Sequence, residues 1–107
     1  MIDIFCDSTN SSGTIAGVFE ADDETSFFYL YQIKPINRII GVIRLCSRTP
    51  DFTESDVDIQ WRDNDSKVGL LIRDMLWAVF DVPSERGRVG RYPLEPLNWS
   101  EQPQPPH

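Results

Sequence analysis

Histidine is almost missing from this sequence: the one copy is His107, the last residue. Imidazole is the commonest general acid or base near neutral pH, so His-based catalysis has almost nothing to draw on. Cysteine is nearly as scarce. Cys6 and Cys46 lie far apart without CxxC spacing, which argues against a thiolate metal motif or a disulfide framework; both read as free, partly buried thiols. GxSxG, P-loop and GxGxxG patterns are missing, as is any local partner that would activate a cysteine. No apolar run approaches the ~20 residues that span a bilayer. The first residues, "MIDIFCDSTNSSG", have neither the basic start nor the apolar stretch of a secretory signal. The expected location is therefore cytoplasmic, and the expected class is not an enzyme.

Positive charge is also in deficit. Ten Lys and Arg face 17 Asp and Glu, for a net charge of -7. Phosphate backbones and anionic membranes would repel such a chain, so neither nucleic acid nor membrane is an expected partner. A protein with a basic surface fits better.

Strand signals dominate what is present. "IDIF" (2–5) alternates briefly, and "STNSSG" (8–13) has loop composition. "TIAGVFE" (14–20) is β-prone, with Gly17 marking a bulge or a close approach. "SFFYLYQI" (26–33) is apolar on both faces: Phe28 and Leu30 share one, Phe27, Tyr29, Tyr31 and Ile33 the other. Pro35 ends that strand, having no N–H for a ladder. "RIIGVIRLCS" (38–47) follows, then "RTPDFTESD" (48–56) as a loop with room for one helical turn. "VDIQW" (57–61) alternates cleanly, with Val57, Ile59 and Trp61 on one side. "RDNDS" (62–66) is rich in residues that close Asx turns. "KVGLLIR" aligns Val68, Leu70 and Ile72, and a tight reversal at Arg73-Asp74 precedes "MLWAVFDV" (75–82). A helix over 68–81 is the competing reading. Gly69, the β-branched residues and the flanking turn signals favour a three-strand meander.

After Pro83 the character changes. Residues 84–107 hold five prolines and little periodicity. They read as an extended tail, in part disordered or PPII-like, with Trp99 packing back on the domain. The predicted architecture is all-β: residues 1–83 form one small antiparallel meander closing as a barrel or sandwich, and 84–107 form the Pro-rich tail.

Three constellations invite a chemical reading. Glu20, Asp22, Asp23 and Glu24 offer hard oxygen ligands, but their spacing does not match a calcium loop, and in "DNDSK" Lys67 stands at a ligand position. No metal and no cofactor is expected; a charged hairpin loop is the simpler account. Arg86, Arg88 and Arg91 read as a solvated loop pairing with the chain's own acids. The aromatics are the sharper feature. Strands apolar on both faces, as in 26–33 and 75–82, need cover on both: a second layer, the tail, or a partner anchored by Tyr and Trp.

"VFEADDETSFFYLY", then "VDIQWRDNDSKVGLLI" and "AVFDV", resemble a family of small bacterial proteins known only as a domain of unknown function. The likeness spans about residues 15–83, and rests on the acid-rich "FE.DDET..FY" pattern and on the strand pair ending in Phe80-Asp81. It implies a small bacterial β domain and carries over no catalytic residue. By general analogy, small acidic proteins of this kind are often immunity proteins, which present acids and aromatics to a toxin's basic cleft. The expectation is thus a non-enzymatic protein-binding module, of the immunity type, in which Glu20, Asp22, Asp23 and Glu24 steer and Tyr29, Tyr31 and Trp77 anchor. The alternative is a small-molecule-binding β domain with an aromatic-lined pocket.

Overall fold

A computed structural model describes residues 3–46, with the Cys46 side chain left out, and 50–99. Residues 1–2, 47–49 and 100–107 lie outside the described residues, and with them Ile2, the 47–49 part of the expected loop and the last stretch of the tail, His107 included.

Eight strands form two sheets, each a meander in sequence order. The first holds β1 (Ile4–Thr9), β2 (Ile15–Ala21), β3 (Ser26–Gln32) and β4 (Arg38–Cys46). The second holds β5 (Val57–Arg62), β6 (Lys67–Ile72), β7 (Met75–Asp81) and β8 (Arg86–Val89). All pairing is antiparallel. The two sheets face one another, with β1 against β5, β2 against β6 and β4 against β7 and β8. Among the described residues no ladder joins them, so the all-β fold is an open two-layer sandwich and not a closed barrel.

The core is built by the inward side of each pleat. Phe19, Phe28 and Leu30 come from the first sheet, Val68, Leu70 and Phe80 from the second, and all six are fully buried. Phe28 and Phe80 meet across the layers with ring centroids 5.5 Å apart, a separation typical of favourable tilted aromatic pairs. Gly17 lets the layers approach: a Cβ there would sit 2.8 Å from Val68 Cγ2. Close approach, not a bulge, explains that glycine.

Turn chemistry follows the sequence. Arg73 and Asp74 both take positive φ, 51° and 67°, the geometry that lets a two-residue loop match strand twist. Asp63, Asn64 and Asp65 also lie in the left-handed region, which Asp and Asn tolerate best among residues with a Cβ. The expected helical turn after residue 48 is a short 3-10 turn, Glu54–Asp56, with Thr53 and Asp56 closing a capping box.

Three expectations need correction. β1 runs on to Thr9 through residues of loop composition, because Ser8 and Thr9 pair with Gly17 and Ala16; ladder pairing overrides propensity. The segment after Pro83 is not all tail: Arg86–Val89 pairs with β7 as the fourth strand of the second sheet. Trp77 is not a surface residue. The ladder shifts register between Leu70 and Leu71, which face Ala78 and Leu76. Trp77 is the extra residue, and it joins the core at 3% exposure, edge-on to Tyr92 at 4.8 Å. A bulge breaks the two-residue period, which is how a side chain expected outside turns inward.

Candidate functional site

The two outer faces of the sandwich are finished differently. On the second sheet, Leu71, Leu76 and Val79 point outward, yet all three are buried by Leu97 and Trp99. The chain returns over this face, held by the Leu97 N–H donating to Leu76 O at 2.8 Å. The Trp99 ring rests on Gly69, where a Cβ would lie 2.3 Å from its Cη2. The Arg62 guanidinium stacks over the indole, 4.5 Å from its centroid. Trp99 does pack back on the domain.

Among the described residues, no such strap covers the first sheet's outer face. Registers place three rows of side chains across its four strands, because directly paired residues share a face. One row is Phe5, Glu20, Phe27 and Arg44; the next is Asp7, Val18, Tyr29 and Val42; the third is Thr9, Ala16, Tyr31 and Ile39. Phe5, Val42 and Ile39 are 54%, 56% and 55% exposed. The short Ala16 and Val18, set between larger neighbours, are buried. The result is an apolar, aromatic field open to solvent, with two acids and one base among its twelve side chains.

The electrostatics of this face are negative on the β1–β2 side. Burial and then the charge and hydrogen bond of Glu20 push the Tyr29 phenol up to about 12, with Asp7 adding in the same sense. Tyr29 thus stays a neutral hydroxyl that donates to Glu20. Beneath β1, burial and the charges of Glu54, Asp7 and Asp58 raise the Cys6 thiol; such a thiol is a poor nucleophile. On the β4 side the Arg44 guanidinium lies 5.6 Å from the Phe27 ring centroid.

The predicted site residues divide. Glu20, Tyr29 and Tyr31 belong to the open face. Asp22, Asp23 and Glu24 lie in the β2–β3 turn at its end. Asp22 is committed to that turn: its Oδ1 accepts the Glu24 and Thr25 N–H groups at 2.9 and 3.0 Å. Those amides hold its carboxyl below the usual range. Asp22 therefore shapes the hairpin, and Trp77 is absent from the face. Phe5, Ile39, Val42 and Asp7 were missed, and Phe27, though placed on the tyrosine face, was not counted with the site. Their signal is positional: they stand in register with the tyrosines, which strand alternation plus hairpin length would have revealed.

The face runs at one end into a cleft of about 430 Å³ between the β2–β3 turn, the start of β1 and the 3-10 turn. Phe5, Glu20 and Phe27 line it together with Asp3, Asp22 and Glu54. Glu54 is anchored there, its Oε1 accepting the Phe5 N–H at 3.3 Å. Two of the three arginines of the 86–91 segment are engaged elsewhere: Arg91 pairs with Glu95 at 3.0 Å, and Arg88 donates to Asn98 O.

No helix among the described residues is long and apolar enough to cross a membrane. No curated protein and no solved structure matches the chain. Residues 2–104 match one family profile, which takes in both the meanders and the strap; the chain belongs to the DUF2251 family, described as an uncharacterized protein conserved in bacteria.

Proposed function

We propose that this protein is a non-enzymatic binding module that docks another protein on the open face of its first sheet. One observation carries the reading: of two equivalent outer faces, one is sealed by the chain's own Leu97 and Trp99, while the other leaves Phe5, Ile39 and Val42 more than half exposed beside Tyr29 and Tyr31. Apolar groups left facing water cost solubility, and contiguous patches of this kind mark interfaces. Tyrosine suits such a surface because it offers area with little rotamer entropy to lose. The wide, open field favours a protein over a small molecule, which is bound in a concave pocket. Neutralising a toxin in the bacterial cytoplasm is the role this reading favours, the net charge of -7 speeding encounter with a basic target.

The test is a comparison of two surface variants as bait in a lysate of the source bacterium. Tyr31→Arg with Val42→Arg spoils the open face; Met75→Arg alters an exposed position on the second sheet. A partner retained by wild type and by Met75→Arg but lost by the first variant supports the assignment. Equal retention by all three places binding elsewhere.

A further inference from the structure

Resting on that reading, we infer that the partner presents a cationic side chain, Arg or Lys, to the cleft where the open face ends, between the Phe5 and Phe27 rings and above Glu20 and Glu54. Phe5, Glu20 and Phe27 belong both to the first row of the face and to the cleft wall, so a partner lying on the aromatics reaches the cleft without a break. Of the nine described residues lining the cleft, four are acids and none is basic. Such a wall is complementary to positive charge and repels a second copy of this acidic chain. The neighbouring phenol and thiol are raised first by burial and then by nearby acids, Glu20 beside Tyr29 and Glu54 beside Cys6.

The walls also suit the flat underside of a guanidinium or the stem of a lysine. Phe27 already accepts one guanidinium within the molecule, that of Arg44, so the ring is placed to stack a cation. Asp22 serves here as a fixed background charge, its oxygen being occupied by the turn. Of the other acids in the wall, Glu20 and Glu54 are two able to form charge-assisted hydrogen bonds to an entering cation. Each reaches the cleft from a different element, β2 and the 3-10 turn, which gives the site a direction along the sheet.

The experiment is a titration of isotope-labelled protein with three capped tripeptides, Gly-Arg-Gly, Gly-Lys-Gly and Gly-Glu-Gly, followed by amide chemical shifts. The Arg and Lys peptides should move the amides of Phe5, Glu20, Ala21 and Phe27 along saturable curves; the Glu peptide should not. Glu20→Gln with Glu54→Gln keeps side-chain size and the acceptor for the Phe5 N–H, and should weaken the response at least fivefold. Its unperturbed spectrum elsewhere checks that the fold is intact. Shifts of equal size beside scattered acids such as Asp63, Asp74 and Glu85, or an unchanged response in the double variant, overturn the inference. So do calcium or magnesium ions producing the same shifts. Peptide-free spectra that change at these amides with protein concentration, or on removing residues 100–107, assign the cleft to a second copy or to the chain's own end, and overturn it too. A partner lost by Tyr31→Arg with Val42→Arg but kept by the Gln variant leaves the docking face standing and removes only the cleft.

Discussion

Replacing Trp99 by alanine tests the asymmetry on which the choice of face depends. If Leu97 and Trp99 truly seal the second sheet, the indole holds a substantial share of the domain's stability. A Trp side chain carries roughly 200 Å², which at about 25 cal/mol per Å² corresponds to about 5 kcal/mol for complete burial. Trp99 is only partly buried, alanine keeps the Cβ, and the freed side chain recovers rotamer entropy. These reductions bring the expected loss to about 2–3 kcal/mol, including ~0.5–1 kcal/mol for the Arg62 cation–π contact. At about 4–8 °C per kcal/mol, Tm should fall by about 10–20 °C. Urea unfolding followed by far-UV circular dichroism is the suitable assay, because the indole removed is itself a fluorophore. Gly69→Ala supplies the second arm of a cycle. Its Cβ would meet Trp99 Cη2 at 2.3 Å and Leu76 Cδ1 at 2.7 Å, so it should cost well over 1 kcal/mol in wild type and clearly less once Trp99 is gone. A Trp99→Ala change within about 0.5 kcal/mol of wild type, the size of an ordinary surface substitution, would refute the strap. The two outer faces would then have equal claim to a partner.

Two further outcomes follow from the same structure. Among the described residues the buried Trp77 Nε1–H has no hydrogen-bond partner, so Trp77→Phe removes a polar cost of about 1–3 kcal/mol while losing some packing; it should leave stability within about 1 kcal/mol of wild type and partner capture unchanged, and a loss of capture would restore Trp77 as a contact. The carboxyls of Asp22, Asp56 and Asp65 are held below their ordinary value of 3.8 by backbone and side-chain hydrogen bonds, so each favours the folded state above that value and loses its contribution as pH falls through the lowered one. Asp-to-Asn changes at all three positions should flatten the acid end of a stability–pH profile from about pH 4 downward, and an unchanged slope would show that other carboxyls set it.

The sequence made parts of this fold plain for local reasons. "VDIQW" alternates, and Arg73-Asp74 sits where a two-residue reversal must fall, so β5, β6 and β7 follow from patterning and turn chemistry. The double-sided "FFYLY" was legible as a strand needing two covers. Which of its faces meets solvent was not, because that depends on which side packs against the second sheet, where Phe28 meets Phe80. Trp77 misled because a bulge is set by pairing with β6 and leaves no mark in the alternation. β8 was hidden because Arg86, Gly87 and Arg88 have loop composition and become a strand only by pairing with Asp81, Phe80 and Val79. The acidic turn was legible as a turn. That Asp22 is spent inside it, while Glu20 stands on the face, required the hydrogen bonds.

The sequence order of the strands has a kinetic corollary. Every hydrogen-bonded strand pair joins neighbours in the chain, so no ladder waits on a distant segment, and loop-closure entropy is small at each step. Contacts between remote residues lie mainly at the layer boundary, where each meander offers one apolar side to the other, and at the strap, where Leu97 and Trp99 cover the second sheet. The chain crosses that boundary as a strand-to-strand connection only once, between β4 and β5. Each half is thus a contiguous stretch of polypeptide with complete internal pairing and an unfinished surface. Folding can proceed as two nearly autonomous nucleations followed by docking, and a break placed in the connecting segment would sever the backbone without dividing a single sheet.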